Sequence, residues 1–294
     1  MTPELRRRIE ALGTDLTPDL LEGTQALMAG GHRGLAPETK VSRDIAYGPH
    51  KRHRLDLFAQ GSPSGAPVLA FVHGGGFVSG DKHIDGSPFY SNVGDFAARM
   101  GWLGVTMTYR LAPEHRFPSG VEDMTLFVDW LRANVAGQGG DPGRIVLMGQ
   151  SAGASHIANY LAHARDHAAD GSGIAGACFL SGIYDVRTTR PGPFNTAYYG
   201  EDVKGWGPAS SLAGLLASDV PMQFSVAEFD PDVFQQQAAQ LVSQWIATRG
   251  RLPEMHYLPG HNHLTPCLAI GSEQRETERM VAGFVRRVAG VGAG

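Results

Sequence analysis

Cysteine is scarce in this chain of 294 residues, which contains only Cys178 and Cys267. Neither cysteine belongs to a CxxC pair or to a Cys/His cluster, so the sequence predicts no zinc site. Met1–Leu12 lacks the apolar run of a secretory signal peptide, so we expect a cytoplasmic protein. Two thiols in such a protein are expected to stay reduced, with a single disulfide as the alternative.

Long hydrophobic runs and runs of basic residues are also missing. No stretch of about 18 apolar residues occurs, so no membrane-spanning segment is expected. Lys and Arg total 25 against 29 Asp and Glu, a net charge of −4. With no basic run of five residues, binding to nucleic acid or to an anionic membrane is not expected. The expected partner is a small molecule, and the oligomeric state is left open, with a homodimer as one alternative.

Glycine, by contrast, is abundant. The chain has 39 glycines, about 13% of its residues, against a usual value of ~7%. Apolar residues make up 42% of the sequence, which is enough for a large globular core. The excess of glycine therefore points to sites where the backbone turns sharply or approaches another group closely.

Strand and helix patterns alternate along the chain. Eight segments are short apolar runs or alternate in polarity, and we predict them to be strands: Val41–Tyr47, Arg52–Phe58, Pro67–Val72, Trp102–Tyr109, Arg144–Met148, Ile174–Leu180, Pro221–Ala227 and Pro253–Leu258. Apolar residues at helical spacing predict helices over Ser91–Met100, Gly120–Asn134, Ala152–Arg165, Val233–Arg249 and Ser272–Val288. This order is typical of an α/β fold with a mostly parallel eight-stranded sheet and helices on both faces.

Two stretches interrupt the alternation. Residues 1–40 have a helical pattern and precede the first strand, and residues 184–219 are rich in Gly, Pro and aromatic residues. Inserts of this length are usually functional lids or disordered segments. We expect both to form a small cap over the carboxyl ends of the strands, where open α/β sheets bind ligands. The whole chain, residues 1–294, is then one domain.

The sequence GQSAG at residues 149–153 lies between a predicted strand and a predicted helix. G-x-S-x-G in that position is typical of a nucleophile elbow, in which small residues allow a tight turn that exposes the serine. The helix N-terminus behind Ser151 would supply N–H groups to an oxyanion. An ordinary glycine-rich turn between strand and helix is the alternative.

A second glycine motif, HGGGF at residues 73–77, follows another predicted strand. Three successive glycines let backbone N–H groups converge on one point, as in the oxyanion holes of lipases and esterases. The motif lacks the GK[ST] ending and the GxGxxG spacing of phosphate-binding loops. We expect His73 to stabilise the loop through hydrogen bonds rather than to take part in catalysis.

The two motifs, 78 residues apart, and the segment YRLAPEHRFP at residues 109–118 resemble the hormone-sensitive-lipase-like family of α/β-hydrolases. The resemblance covers residues 41–288 and implies an α/β-hydrolase fold. Where that family has GDSAGG, this chain has Gln150 in place of Asp and Ala154 in place of the last Gly. The arylformamidases, which combine HGGG with a G-x-SAG elbow, are related candidates.

The resemblance also implies a catalytic acid after the strand Pro221–Ala227 and a histidine after the last strand. The candidate acids are Glu228, Asp230 and Asp232, and the Asp-Pro pair favours Asp230, with Asp232 second. Either aspartate could instead be an acidic residue at a helix N-terminus, and this alternative suits Asp232 better because it would lie in the first turn.

For the histidine, the G-x-x-H pattern of the family that the chain resembles implies His263, with His261 as the alternative. A metal cluster of His256, His261 and His263 has no spacing that matches a known zinc site. No metal and no organic cofactor are therefore expected.

Together these residues imply a serine hydrolase mechanism. His263 takes the proton of Ser151 while Asp230 orients the imidazole. The resemblance assigns the oxyanion hole to the N–H groups of Gly75, Gly76 and Ala152. The predicted substrate-binding residues are Phe77, Gln150, Tyr184 and Tyr198, although packing of the cap explains the aromatic residues equally well.

The sequence leads to three functional hypotheses. The first is a serine carboxylesterase acting on small, short-chain or aryl esters. The second is an arylformamidase that hydrolyses amides of the N-formylkynurenine type with the same triad. The third is a non-catalytic receptor for a small ligand on the same scaffold. Because Ser151, Asp230 and His263 are all present, the enzyme hypotheses are favoured over the receptor.

Overall fold

The eight predicted strands form one sheet in the computed structural model, which describes residues 1–163 and 171–290. In chain order the strands are β1 Lys40–Ala46, β2 Arg54–Ala59, β3 Ala66–Val72, β4 Leu103–Thr108, β5 Gly140–Gln150, β6 Gly176–Leu180, β7 Met222–Phe229 and β8 Glu254–Asn262. Their order across the sheet is β1-β2-β4-β3-β5-β6-β7-β8. The pairs β1/β2 and β2/β4 are antiparallel and all other neighbours are parallel. The predicted fold class is confirmed.

Ten α-helices lie within the described ranges. They are α1 Pro3–Glu10, α2 Pro18–Ala29, α3 Ser91–Arg99, α4 Ser119–Asn134, α5 Ala152–Ala162, α6 Pro193–Tyr199, α7 Leu212–Ala217, α8 Asp232–Arg249, α9 Thr265–Leu268 and α10 Glu276–Val288. The predicted helix Ala152–Arg165 ends earlier, at Ala162, and residues 164 and 165 lie outside the described part of the chain. The predicted helix Ser272–Val288 begins four residues later, at Glu276.

The central strands are buried on both faces of the sheet. Every residue of β3 is buried, and its side chains alternate between two hydrophobic clusters. Val68 and Val72 face the cluster that contains residues of α4, α5 and α8, whereas Leu69 and Phe71 face the cluster that contains residues of α3 and α10. This burial explains why β3 is a continuous apolar run in the sequence.

The last strand is longer than its sequence pattern predicts, and this extension positions the histidine segment. The polarity pattern ends at Leu258, but β8 continues to Asn262, where it pairs with Phe229 of β7 after an irregularity in the register. As a result, His263 directly follows the carboxyl end of β8. The carboxyl ends of β5, β7 and β8 lie at the same edge of the parallel sheet.

The N-terminal segment is helical, as predicted, and it packs on the same side of the molecule as β8. Arg6 of α1 forms a two-pronged ion pair with Glu228 at the end of β7, with Nη2 and Oε1 2.6 Å apart. The N–H of Gly260 in β8 donates to the other oxygen of the same carboxylate at 2.6 Å. Glu228 therefore joins α1 to the ends of two strands.

Neither cysteine is bonded to the other. Cys178 and Cys267 are free, and both are buried. In residues 1–163 and 171–290, no helix combines the length and the apolar character that crossing a bilayer requires.

Three histidines are buried in the fold with a lowered pKa. Burial lowers the pKa of His73 to about 3 and those of His156 and His261 to about 4. His156 lies among the rings of Phe77 and Tyr109, and neither of its ring nitrogens has a hydrogen-bond partner among the described residues. Each of these imidazoles is therefore neutral in the folded protein at pH 7.

These histidines predict a loss of stability in mild acid. The unfolded chain takes up their protons near the ordinary pKa of 6.5, whereas the folded chain does not until about pH 4, so protons favour unfolding within that window. Each histidine contributes a slope of as much as ~1.4 kcal/mol per pH unit to the free energy of unfolding. The contribution of these histidines to stability is expected to be fully present above pH 6.5 and to fall towards pH 4.

Urea unfolding of wild type and His156→Leu at pH 7, 6 and 5 tests this expectation. The free energy of unfolding of the variant is expected to decline less steeply with falling pH, because unfolding of the variant takes up about one proton fewer. His115→Leu, at a half-buried histidine, controls for the loss of an imidazole elsewhere. Equal slopes in wild type and His156→Leu would contradict the assignment of this titration to His156.

Candidate active site

Ser151 stands at a sharp turn between β5 and α5. Its φ is +56°, in the left-handed region that non-glycine residues rarely adopt. Its N–H donates to the carbonyl of Leu180 in the neighbouring strand β6 at 2.9 Å, which holds the turn in place. Strain of this kind, stabilised by the surrounding structure, is frequent at functional sites. The turn has the geometry predicted for a nucleophile elbow.

The glycines on either side of the turn are required by close backbone contacts. A Cβ on Gly153 would lie 2.1 Å from the carbonyl oxygen of Val72 in β3. A Cβ on Gly149 would lie 2.6 Å from the N atom of Ala154. Each of these Cβ atoms would meet a backbone atom, which cannot rotate away as the end of a side chain could. The start of α5 therefore packs directly against the end of β3.

Gly153→Ala is accordingly expected to destabilise the protein. Forcing a methyl group against the backbone of Val72 should lower the free energy of unfolding by ~1–3 kcal/mol or more. Gly283→Ala is the matched control, because a Cβ on this helical glycine would have no neighbouring atom within 4 Å. Alanine there should be neutral or stabilise α10 by ~0.5–1 kcal/mol. Denaturant unfolding of both variants would contradict the packing account if Gly153→Ala were as stable as wild type.

The HGGG loop follows β3 and faces the elbow. Gly75 has φ +115° and Gly76 has φ +60°, which favour glycine at both positions. Gly74, Gly75, Gly76 and Ala152 line the same cavity as Ser151. Ala152 is the first residue of α5, so its N–H has no partner within the helix. The predicted oxyanion residues are thus gathered around Ser151.

His73 and Tyr109 hold this loop from behind. His73 Nδ1 donates to the carbonyl of Gly74 at 2.6 Å, and its ring stacks on Tyr109 with centroids 4.3 Å apart. The Tyr109 hydroxyl lies 3.0 Å from the carbonyl oxygen of His73 and 3.2 Å from that of Gly74. Tyr109 opens the YRLAPEHRFP segment, and Ala112 of the same segment donates its N–H to Phe77 O at 3.0 Å. The segment supports the glycine loop.

Asp230 and His263 form a buried hydrogen-bonded pair. His263 Nδ1 lies 2.6 Å from Asp230 Oδ1, and each residue is at most 3% exposed. The second oxygen, Asp230 Oδ2, accepts the N–H of Ala227 at 2.6 Å and the hydroxyl of Ser181 at 2.6 Å. Because a carboxylate only accepts hydrogen bonds, the proton of the pair lies on Nδ1, which leaves Nε2 as a base.

His263 Nε2 is buried and has no hydrogen-bond partner among residues 1–163 and 171–290. His263 and Ser151 line one cavity, but no hydrogen bond joins Ser151 Oγ to Nε2. Catalytic hydrogen bonds are frequently long without substrate and shorten in the substrate complex. Phe234 of α8 packs on the imidazole, with ring centroids 4.2 Å apart, and restricts its orientation.

Neither the alternative acids nor the alternative histidine takes part in the hydrogen bond between Asp230 and His263. Glu228 binds Arg6, as described above, and that ion pair lowers the pKa of the carboxyl group. Asp232 is the first residue of α8, where an acidic side chain complements the helix dipole. His261 Nδ1 lies 3.1 Å from the hydroxyl of Thr265. The contacts favour Asp230 and His263 over these candidates.

Gln150, which departs from the GDSAGG pattern, contacts the histidine segment. Its side-chain Nε2 donates to the carbonyl oxygen of His263 at 3.0 Å, and the residue is buried. An aspartate at this position has no N–H to donate. The amide therefore links the elbow directly to the segment that carries His263.

A cavity of about 750 Å³ opens above Ser151. Its lining includes apolar residues of the N-terminal segment and its neighbours: Leu16, Leu21, Ile84, Tyr90 and Leu264. It also includes residues that follow β6 and β7: Ile183, Thr188, Arg190, Phe194, Val233 and Phe234. Phe194 is 42% exposed and lies so close to Gly76 that a Cβ there would be 2.8 Å from its ring. Both segments that interrupt the strand and helix alternation therefore contribute to this cavity.

Of the four residues predicted to bind substrate, Phe77 and Gln150 line the cavity. Tyr184 and Tyr198 are not among the lining residues. Tyr184 packs in the core, with its ring 5.5 Å from that of Phe224, and Tyr198 stacks on Phe77 with centroids 4.4 Å apart. Both tyrosines pack the fold, which is the alternative that the sequence left open for these aromatic residues.

Sequence reasoning missed three residues: Ser181, which binds Asp230, Phe234, which packs on His263, and Arg6, which binds Glu228. None of them belongs to a short motif, and each makes its contact only through tertiary packing. The described residues contain no group of three or more His, Cys, Asp or Glu side chains arranged to hold a metal ion.

Together the sheet order, the elbow and the glycine loop define a protein of the α/β-hydrolase class. Residues 69–265 match the family model described as the alpha/beta hydrolase fold, and the chain belongs to that family. The prediction from the sequence is confirmed at this level.

Several proteins of similar sequence are named esterases. The chain is 37% identical over 113 residues to Esterase LipC of Mycobacterium tuberculosis, covering 38% of this chain and 27% of that protein. It is 32% identical over 168 residues to Esterase LipQ of the same organism, covering 53% of this chain and 38% of LipQ. A probable isoprenylcysteine alpha-carbonyl methylesterase of Oryza sativa is 37% identical over 126 residues, covering 42% of this chain and 28% of the relative. The matches thus span well under half of these relatives' own lengths.

Solved structures share the whole fold. An esterase of Pyrobaculum calidifontis superposes with a TM-score of 0.73 at 20% identity, covering 99% of this chain and 98% of that one. An esterase from the bacterial hormone-sensitive lipase family gives a TM-score of 0.69 at 21% identity, covering 99% of both chains. At this level of identity the likeness concerns the fold.

Proposed function

We propose that the protein is a serine carboxylesterase that hydrolyses small carboxylic esters through an acyl-enzyme. The observation that carries the proposal is the buried Asp230–His263 pair, with a 2.6 Å hydrogen bond, in the same cavity as the strained Ser151. The esterase names of the relatives support the same reaction class. They give no support to the arylformamidase alternative.

In the proposed mechanism, Ser151 Oγ attacks the ester carbonyl while His263 Nε2 accepts its proton. Asp230 holds the imidazole with Nδ1 protonated and stabilises the imidazolium that forms. His263 then donates the proton to the leaving alcohol. In the second half of the reaction His263 takes a proton from water, which attacks the acyl carbonyl on Ser151. The bond between the acyl carbon and Oγ then breaks, the carboxylic acid leaves, and His263 returns the proton to Oγ.

The oxyanion of each tetrahedral intermediate is proposed to bind the N–H groups of Gly75, Gly76 and Ala152. These groups belong to the glycine loop and the start of α5, which both line the cavity beside Ser151. Preorganised donors of this kind are worth ~10²–10³ in rate for each donor lost. The mechanism uses no cofactor.

The substrate is proposed to be a small ester with an apolar acyl or aryl group. Residues 1–40 and 184–219 act in this proposal as a cap on a single catalytic unit, because Leu21 and Phe194 from these segments line the cavity. The exposed surface of the cavity is mostly apolar, which suits such a substrate. Phe77, beside the glycine loop, would contact the group nearest the scissile bond.

A panel of p-nitrophenyl esters with acyl chains of increasing length, measured beside N-formylkynurenine, tests the proposed reaction. We expect hydrolysis of the esters with a clearly higher kcat/KM than that of the formyl amide. A much better rate with the formyl amide would replace the esterase proposal with the formamidase. No hydrolysis of either substrate would favour the receptor hypothesis.

A further inference from the structure

Ser181 contacts the acid of the proposed triad although it follows a different strand. It comes directly after β6, is 3% exposed, and its hydroxyl donates to Asp230 Oδ2 at 2.6 Å. Its own N–H donates to the carbonyl of Ser225 in β7 at 3.1 Å, which fixes the residue between two strands. The hydroxyl is therefore held against the carboxylate oxygen that His263 does not use.

The backbone of Ser181 is strained in the position that makes this contact possible. Its φ is +50°, in the left-handed region that favours glycine. At this φ a serine has a less favourable backbone energy than a glycine. Unlike glycine, however, serine provides a hydroxyl group that can bind Asp230. Hydrogen bonds from a hydroxyl to a buried carboxylate are among the stronger ones in proteins.

The hydrogen bond from Ser181 affects catalysis because it stabilises the negative charge of the Asp230 carboxylate. Two donors, Ala227 N–H and Ser181 Oγ–H, bind Oδ2, while His263 Nδ1–H binds Oδ1. If the hydroxyl is removed, the carboxylate is less stabilised by other donors and interacts more strongly with His263. This stabilises the imidazolium form of His263 and raises its basicity. The carboxylate also loses one of the two contacts that set its orientation.

We propose that Ser181 is a positioning residue of the triad, which orients Asp230 and tunes the basicity of His263 through its hydroxyl. The inference rests on the proposed esterase function. It assigns a role in the site to Ser181, which follows β6. The triad then depends on the end of β6 as well as on the ends of β5, β7 and β8.

Other ionisable groups lie near the Asp230–His263 pair in the sequence, in the core or on the wall of the same cavity. They are Asp232 at the start of α8, Glu228 of β7 with Arg6 of α1, His261 of β8, Tyr184 in the core, and Asp81, His83 and Arg190 on the cavity wall. Variants at position 181 leave all of them in place. A change common to two such variants therefore reports the missing hydroxyl.

The test compares wild type with Ser181→Ala and Ser181→Gly. Both variants lack the hydroxyl, but alanine retains the backbone strain and glycine relieves it. The profile of kcat/KM against pH, from pH 5 to 9, is measured with p-nitrophenyl butyrate. Both variants are expected to lose about tenfold in kcat/KM, the size of one hydrogen bond to a charged group. In both, the acid limb of the profile should move to higher pH.

Proton NMR of the His263 Nδ1–H resonance supplies a readout that does not depend on activity. A changed chemical shift in both variants is expected, because the carboxylate that binds this proton is altered. An active wild type with the same pH profile in all three proteins would overturn the proposal. So would a Ser181→Gly variant with wild-type kinetics, since the serine would then serve only the fold. If the wild type hydrolyses no ester, the esterase proposal fails, and the NMR comparison alone decides the role of Ser181.

Discussion

Ser151→Ala is expected to lower kcat/KM for ester hydrolysis by ~10⁴–10⁶-fold, because the variant has no oxygen to attack the carbonyl. The fold should be unaffected, since alanine fits the same turn and the N–H bond to Leu180 is retained. Steady-state kinetics with p-nitrophenyl butyrate, together with a thermal melt, separate the two effects. We expect a folded protein with almost no activity.

Ser155→Ala is the matched control for this variant. Ser155 lies one turn further along α5 and also lines the cavity, but its hydroxyl oxygen accepts the N–H of Ile183 at 3.1 Å. Ser155→Ala should retain most of the activity. If Ser151→Ala kept the wild-type rate, or if the two variants lost activity equally, Ser151 would not be the nucleophile.

Asp230→Asn is expected to cost ~10⁴-fold in kcat while leaving the fold intact. The orientation of the new amide follows from the contacts of Oδ2. Ala227 N–H and the Ser181 hydroxyl both donate to that position, so the amide oxygen will occupy it and the NH₂ group will face His263. His263 Nδ1 must then accept a hydrogen bond, so the imidazole proton lies on Nε2. A protonated Nε2 cannot accept the proton of Ser151.

The measurement is kcat at several pH values for wild type, Asp230→Asn and Asp232→Asn. Asp232 is the control because it is the neighbouring acid that the sequence left as second candidate, and it lies at the N-terminus of α8. Asp232→Asn should lose far less activity. A larger loss in Asp232→Asn than in Asp230→Asn would reverse the assignment of the acid.

Local sequence patterns predicted the sheet and the elbow because both are encoded over short distances. The apolar run of β3 and the alternation of strands and helices depend on neighbouring residues, and GQSAG needs only the strand before it and the helix after it. The choice of His263 came from the G-x-x-H pattern of the family that the chain resembles. The extension of β8 to Asn262 was not predictable, because the segment loses the polarity pattern of a strand.

Contacts between distant parts of the chain were not predictable in this way. The choice among Glu228, Asp230 and Asp232 relied on a family resemblance. The physical reason lies in Arg6, 222 residues away, which binds Glu228. Similarly, Tyr184 and Tyr198 belong to an aromatic segment near the site, but only the path of that segment decides that their rings pack inward. Such details depend on tertiary packing rather than on local pattern.

The central claim is that Ser151 is the nucleophile of a serine hydrolase, and covalent trapping tests it most directly. The protein is treated with an organophosphonate ester, residual activity is followed, and the modified peptide is mapped by mass spectrometry. We predict one adduct per chain, on Ser151, with activity lost in proportion to labelling. An adduct on Ser155 or Ser181 instead, or full labelling of Ser151 with no loss of activity, would contradict this claim.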